Sequence, residues 1–142
     1  MEGQIKVLFI CVHNSGRSQI AETLLWNLAR DKFYVESAGL EPKPINPLVI
    51  EVMKELGFDL SKKHSKSVFD FYKQGRLYDY VISLCDDYNE KKCPVFPGIV
   101  KRYHWPFFDP EMLTGNDKEK KAALRNIVNQ IKNKLESWIK EF

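Results

Sequence analysis

The feature that most constrains this chain is a short apolar segment, Ile5 to Ile10, that runs directly into a polar loop and then into a helix-like pattern. A short apolar run bounded by a turn predicts a buried strand, here over residues 6–12. Over residues 18–30 the apolar side chains recur at helical spacing. A buried strand, a tight loop and an amphipathic helix in this order predict the opening unit of an α/β fold.

The rest of the chain continues the alternation of strands and helices. Asn46 and Pro47 form a helix cap and first-turn pair, and Gly57 follows the helix that they begin. The further elements predicted are strands at residues 33–38, 80–84 and 101–104 and helices at residues 47–56 and 117–142. This order predicts a three-layer α/β/α fold around a small four-stranded parallel sheet. Because there is no internal repeat and no linker-like stretch, we expect residues 1–142 to form one domain.

Charge and composition exclude several classes of partner. The chain has 22 basic and 19 acidic residues and is 44% hydrophobic, as in an ordinary soluble globular protein. No basic stripe with interleaved aromatic residues indicates nucleic-acid binding, and the lysine-rich run at residues 61–67 is interpreted as a solvated loop. No apolar run has the length of a membrane span. We therefore expect a cytoplasmic monomer that binds neither nucleic acid nor membrane.

The polar loop carries a nucleophile and a cation at a spacing that is typical of an anion-binding loop. Cys11 and Arg17 are separated by five residues, Gly16 lies between them, and a helix begins beside them at about Ser18. Backbone N–H groups of such a loop and the helix N-terminus favour a bound tetrahedral oxyanion and the thiolate of Cys11. The planar fork of Arg17 can bind two oxygens of that anion. The alternative is an inert buried cysteine, but the strand and the small loop residues favour catalysis.

A carboxylate that could serve this pocket is Asp109, which lies between Phe108 and Pro110 after the fourth predicted strand. Apolar neighbours favour the protonated carboxyl, which can donate a proton to a leaving oxygen. Taken alone, an Asp before Pro more often caps a turn, so the proton-donor interpretation depends on the anion loop. Because the carboxyl ends of parallel strands meet at one edge, we expect Cys11, Cys85 and Asp109 to lie together.

The chain has three cysteines, Cys11, Cys85 and Cys93, which are too few for a secreted disulfide framework. In a reducing compartment such cysteines are usually catalytic, redox-active or metal-binding, and the histidines are not at zinc-ligand spacing, so we expect no metal. Taken singly, Cys85 suits a core position and Cys93 an incidental loop thiol. Taken with a nucleophile at the neighbouring strand end, they suggest a thiol relay.

Six segments of the chain, in sequence order, follow the pattern of one known family. They are Cys11 to Glu22, Ser37-Ala38-Gly39, Asn46-Pro47, Met53 to Gly57, Cys85 with Cys93-Pro94, and Trp105 to Pro110. Through them the chain resembles the thioredoxin-coupled arsenate reductases, whose fold and anion loop are those of the low-molecular-weight protein tyrosine phosphatases. The resemblance covers nearly the whole chain, and it implies the flavodoxin-like form of the α/β/α fold.

The resemblance also implies a role for each residue. Cys11 would attack arsenate, Asp109 would protonate the departing hydroxyl, and Cys85 would attack Cys11 and release arsenite. Cys93 would then attack Cys85 and leave a disulfide for thioredoxin, the external reductant, with no tightly bound cofactor. Asn14 and Ser18 would shape the loop and stabilise the thiolate. The residues that would bind the oxyanion are His13, Asn14, Ser15, Gly16, Arg17 and Ser18.

The chain departs from the family pattern at two places. Gly16 stands where many relatives have another cysteine, which the relay does not use. The loop between Cys85 and Cys93 is slightly longer than is usual, so both the role of Cys93 and the choice between thioredoxin and a glutathione-type reductant stay open.

Two other functions compete with arsenate reduction. A low-molecular-weight tyrosine phosphatase would use Cys11, Arg17 and Asp109 without the other two cysteines. Such phosphatases commonly place tyrosines after the Asp-Pro pair, where this chain has Glu111-Met112. We therefore favour the reductase and expect only weak phosphatase activity. The third possibility is a non-catalytic oxyanion sensor.

Overall fold

The computed structural model of the protein describes residues 3–142. Within these residues, four strands are each followed by one or two helices, with a short 3₁₀ turn at Pro110–Met112 before the last helix. The elements are β1 (Ile5–Cys11), α1 (Arg17–Ala29), β2 (Phe33–Gly39), α2 (Pro47–Glu55), α3 (Val68–Lys73), β3 (Tyr80–Ser83), α4 (Asp87–Glu90), β4 (Lys101–His104) and α5 (Asp117–Ile139).

The four strands form one parallel sheet in the order β2-β1-β3-β4. β1 is central and nearly all buried, which explains why its sequence is a continuous apolar run. Successive side chains of a strand point to opposite faces. Val7 and Phe9 accordingly enter the core on one face, and Leu8 and Ile10 enter the core on the other.

The two cores differ in size. The larger one lies under α1, α2 and α5, and its centre includes Ile20, Met53 and Leu124, which are all fully buried. The smaller one lies on the opposite face, where Val68 and Phe71 of α3 pack with Tyr78 and Phe96. Helices on both faces of a parallel sheet confirm the predicted three-layer α/β/α fold.

The predicted bounds agree with the structure to within a residue for the strands, and Asn46 caps α2 as expected. Two helices were not predicted: α3 and α4 have six and four residues, too few for a helical period to be visible. The last helix ends at Ile139, before the chain end. Among residues 3–142, no helix combines the length and the apolar character needed to cross a bilayer.

The topology collects the chemistry-bearing residues at one edge of the sheet. In register, Cys11 at the end of β1 lies beside Gly39 at the end of β2. Ser83 and His104 are paired at the ends of β3 and β4. Since all strands run in the same direction, these four ends and the loops that follow them share one side of the molecule.

Candidate active site

The loop from Cys11 to Arg17 wraps around the start of α1. Gly16 is the N-cap residue of this helix, and no side chain caps the first turn. The N–H groups of a helix start that no side chain satisfies are available to an anion, and the helix dipole adds positive charge there. Arg17, the first residue of the helix, is buried, so its charge also acts inside the protein.

The sulfur of Cys11 accepts hydrogen bonds from two sides. The backbone N–H of Asn14 donates to it over 3.2 Å, and the hydroxyl of Ser18 lies 2.8 Å from it. The Ser18 oxygen already accepts a bond from the side-chain amide of Asn14 at 2.7 Å, so its own hydrogen is free to point at the sulfur. The sulfur of Cys11 therefore lies between two polar groups of the loop and the helix start.

The side chain of Asn14 holds the loop in this shape. Asn14 has the positive φ of 52° that a tight turn needs and is fully buried. Its Nδ2 donates to Ser18 and to Ser37 (3.0 Å), while its Oδ1 accepts from Gln19 Nε2 and from the backbone N–H of Lys66, both at 3.0 Å. Since a backbone N–H can only donate, the orientation of the amide is fixed. All four of its hydrogen-bonding positions are satisfied.

Charged groups continue this network away from the loop. Ser37 donates to Oε1 of Glu22 at 2.6 Å, and Oε2 of Glu22 is paired with Lys63 at 3.1 Å. Lys66 approaches the same carboxylate at 3.8 Å, and burial lowers the pKa of this lysine. The loop is thus backed by an ion-paired carboxylate that does not reach the pocket.

The lysine-rich run at residues 61–67 is a loop, as predicted, but its second half packs against the anion loop. Ser65 donates to the carbonyl of Asn14, and the carbonyl of His64 accepts from Gln19. This contact could not be predicted from the sequence, because the residues are about fifty positions apart and the alternation of Ser and Lys gives no signal of it.

Gly39 allows the end of β2 to pass directly beneath the loop. A Cβ at this position would lie 2.7 Å from the backbone nitrogen of Asn14 and 2.8 Å from the carbonyl carbon of His13. Real Cβ atoms do not approach backbone so closely, so any other residue would displace the loop.

Arg17 is held by contacts from two other strand ends. Its Nη1 donates to the carbonyls of Leu84 (3.3 Å) and Phe107 (3.2 Å), and its Nη2 lies 3.5 Å from Oδ2 of Asp109. Oδ1 of Asp109 accepts from the backbone N–H of Glu111, so this carboxylate also caps the 3₁₀ turn. The side chain of Asp109 thus caps a turn, as one sequence interpretation expected, and also lies beside Arg17.

A narrow pocket of about 10 Å³ lies at the loop, and Cys11 contributes to its lining. The predicted residues His13, Ser15, Gly16, Arg17 and Asp109 line it, whereas the side chains of Asn14 and Ser18 serve the loop and the sulfur. The residues that line it and were not predicted are Asn46, Pro110 and Glu111. Ser15 donates to Glu111 at 3.3 Å, and the turn after Asp109 brings this carboxylate to the rim of the cavity.

The other two cysteines are buried on the same side of the sheet. Cys85 follows β3 by two residues and is fully buried, Cys93 follows α4, and all three cysteines are free thiols. A hydrogen bond between the two thiols, with burial, raises the pKa of Cys85. The same hydrogen bond lowers the pKa of Cys93.

The structure brings every predicted site residue to this region of the molecule. Within the described part of the chain, no group of three or more His, Cys, Asp or Glu side chains could hold a metal ion. The arrangement consists of a loop at a helix start that suits an oxyanion, a cysteine in that loop, a carboxyl group and a second pair of thiols. It can carry out nucleophilic attack on a tetrahedral oxyanion followed by thiol–disulfide exchange.

Comparison with known proteins gives a family and several relatives. A profile of the family described as low molecular weight phosphotyrosine protein phosphatase matches residues 6–142. An arsenate reductase of Bacillus subtilis (strain 168) is 37% identical over 138 residues, which cover 97% of this chain and 96% of the relative.

Solved structures agree with that comparison. One, described as an arsenate reductase in the phosphate binding state, has a TM-score of 0.74 and 32% identity over 97% of this chain and 98% of its own. Another, a thioredoxin-dependent arsenate reductase of Corynebacterium glutamicum, has a TM-score of 0.65 and 31% identity. It matches over 95% of this chain and 63% of its own length.

Proposed function

Because this chain belongs to the low molecular weight phosphotyrosine protein phosphatase family, and because the Bacillus subtilis relative that matches 97% of it is an arsenate reductase, we propose that it reduces arsenate to arsenite. The observation that carries the proposal is the buried pair of thiols, Cys85 and Cys93, on the same side of the sheet as the Cys11 pocket. Hydrolysis of a phosphate ester needs only Cys11, Arg17 and Asp109. Reduction needs two electrons, which two thiols supply when they form a disulfide.

The first step is attack of the Cys11 thiolate on arsenic. The helix start and the loop amides bind the oxygens of arsenate, and Nη2 of Arg17, on the side of Asp109, adds a charged donor. A sulfur–arsenic bond forms, and one hydroxyl leaves as water after accepting the proton of Asp109. Asp109 suits this role because its side chain lines the pocket and remains partly exposed.

The second step is reduction. Cys85 attacks the sulfur of Cys11, and a disulfide forms as the sulfur–arsenic bond breaks. The electron pair of that bond stays on arsenic, which leaves as arsenite, so As(V) becomes As(III) while two thiols are oxidised. The proton of Cys85 has an acceptor in the thiolate of Cys93, to which Cys85 is hydrogen-bonded. Cys93 therefore acts as a base in this step.

The third step moves the disulfide away from the pocket. Cys93 first gives the proton that it accepted to solvent and then attacks Cys85 as a thiolate. A Cys85–Cys93 bond forms as the Cys11–Cys85 bond breaks, and Cys11 leaves as the thiolate that the next cycle needs. A dithiol protein such as thioredoxin then reduces this bond, as the name of the Corynebacterium glutamicum relative states for that protein. The segment between the two cysteines must move for this, because both sulfurs are buried.

The remaining expectations belong to the same proposal. We assign residues 1–142 to one reductase domain, which the match over residues 6–142 supports. The protein works as a cytoplasmic monomer on a small oxyanion, with thioredoxin as its protein partner and no resident cofactor, metal, nucleic acid or membrane. Hydrolysis of aryl phosphates is a weak side activity, because phosphate and arsenate share their shape and charge.

The test is thioredoxin-dependent consumption of NADPH on addition of arsenate, in the presence of thioredoxin reductase. Cys11→Ser, Cys85→Ser and Cys93→Ser are measured beside the parent. Sustained turnover that each substitution abolishes supports the relay. If only a Cys11-dependent hydrolysis of an aryl phosphate is found, the protein is a phosphatase. Multiple turnovers by Cys93→Ser with thioredoxin would instead indicate a two-cysteine or glutathione-type route.

A further inference from the structure

A line of hydrogen bonds outside the anion pocket encloses Cys85. Oγ of Ser83, two residues before the cysteine, lies 2.8 Å from Nδ1 of His104. Nε2 of the same imidazole lies 2.8 Å from Oδ1 of Asp87, two residues after the cysteine. His104 thus connects the residue at the end of β3 with the first residue of α4 and closes a ring around the turn that holds Cys85.

The hydrogen positions of this line follow from its ends. A carboxylate only accepts, so Nε2 of His104 carries the hydrogen that it donates to Asp87. In the neutral ring, Nδ1 then accepts from the hydroxyl of Ser83. In the charged ring, Nδ1 donates to Ser83, whose hydrogen can turn to the carbonyl of Tyr103 at 3.4 Å. Both protonation states of His104 therefore keep the connection.

The segment after Cys85 is held mainly by such polar contacts. α4 has no buried residue, so no apolar packing fixes it to the core. A second ion pair from α4 to β4, between Glu90 and Arg102 at 3.2 Å, lies on the same side as the bond from Asp87 to His104. Contacts of this type between partly exposed groups are individually weak, so a segment held by them can open without unfolding the core.

We propose that His104 is a positioning residue for the thiol relay, which holds the turn of Cys85 by bridging Ser83 and Asp87. The role of His104 in the relay rests on the proposed function, whereas its role in holding the turn of Cys85 does not. Thiol–disulfide exchange requires the attacking sulfur to lie in line with the bond that it breaks, and small displacements are costly to the rate. Ser83, buried at the end of β3, anchors the bridge, and the exposed Asp87 is the end that releases when the loop moves.

The structural part is tested by alkylation of the reduced protein with iodoacetamide, followed by peptide mass spectrometry of each cysteine. His104→Phe keeps the size of the ring and removes both hydrogen bonds. We expect it to raise the alkylation rates of Cys85 and Cys93 by about fivefold or more, since the loss of one hydrogen bond alone accounts for about fivefold, and to leave the rate of Cys11 unchanged.

Asp87→Ala is the second variant. The side chain of Asp87 is exposed, so we expect this variant to fold normally. It should raise the same two rates by about twofold, in line with a surface contact. Asp31→Ala, an exposed carboxylate elsewhere, is the matched control and should change none of them. Unchanged rates at Cys85 and Cys93 in both variants, or an equal rise at Cys11, would overturn the proposal.

The functional part is tested by arsenate turnover with thioredoxin. His104→Phe should lower kcat by about fivefold and leave KM for arsenate unchanged, because the pocket is intact and only the resolving thiol is displaced. An equal change in KM, or no change in either constant, contradicts a positioning role. If the parent protein does not reduce arsenate at all, the proposed function fails, while the alkylation result still decides whether His104 holds the turn.

Discussion

The hydroxyl oxygen of Ser18 lies 2.8 Å from the sulfur of Cys11 and accepts a hydrogen bond from the side-chain amide of Asn14, which leaves the hydroxyl hydrogen available to the sulfur. Ser18 is fully buried, so water does not compete for this bond. The arrangement places a donor where negative charge resides on the nucleophile. It links a loop residue to reactivity without any contact between Ser18 and the substrate.

Replacement of Ser18 by Ala should therefore slow the attack on arsenate. A hydrogen bond to a charged group contributes roughly 1.5–3 kcal/mol, which corresponds to a loss of about ten- to a hundredfold in kcat/KM. The alkylation rate of Cys11 at neutral pH should fall with it. Ser67→Ala, which removes a hydroxyl that caps α3 at a distance from the sulfur, is the control. Unchanged reactivity of Cys11 in Ser18→Ala would contradict the role given to this hydroxyl.

Gly39→Ala should disrupt the anion loop from below. The added carbon would meet the backbone of His13 and Asn14 at less than 3 Å, so the loop must shift. We expect a destabilisation of about 1–3 kcal/mol, measured by urea denaturation, together with loss of nearly all arsenate turnover. Gly57→Ala is a matched control, because a φ of +92° makes it costly for stability while nothing lies within 4 Å of the new carbon. It should retain turnover, and equal loss in both variants would contradict the argument.

Much of the fold and the nucleophile's surroundings could be predicted from the sequence because they are local. The strand, the loop and the helix that form the pocket are contiguous from Ile5 to Ala29, and short-range periodicity describes them. The order of strands and helices then implied a parallel sheet. The family resemblance added the flavodoxin-like form of that fold. This prediction of fold and family is confirmed by the structure and the comparisons.

What the sequence did not reveal depends on contacts between distant segments. Lys66 donates its backbone N–H to Asn14 across 52 residues, and His104 meets Ser83 across 21. No periodicity marks such pairs. α3 and α4 were missed because a helix of one or two turns has no repeat to detect. Glu22 and Ser37 lie inside the segments that carry the family resemblance. Their place in those segments is the one signal in the sequence that they support the site.

The two relay thiols should differ in their dependence on pH. The hydrogen bond from Cys85 lowers the pKa of Cys93, whereas that bond and burial raise the pKa of Cys85. A lowered pKa means that the folded state favours the thiolate of Cys93, so this contribution to stability is present above the ordinary thiol pKa. It is lost as pH falls through the lowered pKa. For Cys85 the sign is opposite, and the contribution is lost as pH rises.

Alkylation of the reduced protein over a pH series measures this difference. Cys93 should react with a midpoint below the ordinary thiol value, and Cys85 should stay unreactive over the same range. Cys85→Ala removes the hydrogen bond that is the main cause, so the midpoint of Cys93 should move upward in that variant. Faster reaction of Cys85 than of Cys93 at neutral pH would show that the proton of the pair lies on the other sulfur.

Asp109 offers a way to separate its two roles. Asn at this position keeps an oxygen that can accept from the backbone N–H of Glu111, so the 3₁₀ turn stays capped, but it cannot donate a proton as a carboxylic acid does. Asp109→Asn should lower kcat for arsenate by about a hundredfold, a typical contribution of a general acid. Binding of the oxyanion should be retained or tightened, because the carboxylate beside Arg17 is neutralised. Protection of Cys11 from alkylation by phosphate measures that binding.

Asp109→Ala is the comparison, since it removes both the proton and the cap. It should lose kcat to the same extent and, in addition, weaken phosphate protection as the turn that carries Pro110 and Glu111 moves from the rim of the pocket. If Asp109→Asn keeps full turnover while Asp109→Ala loses it, the carboxyl of Asp109 acts as a cap alone. The leaving hydroxyl would then take its proton from another group or from water.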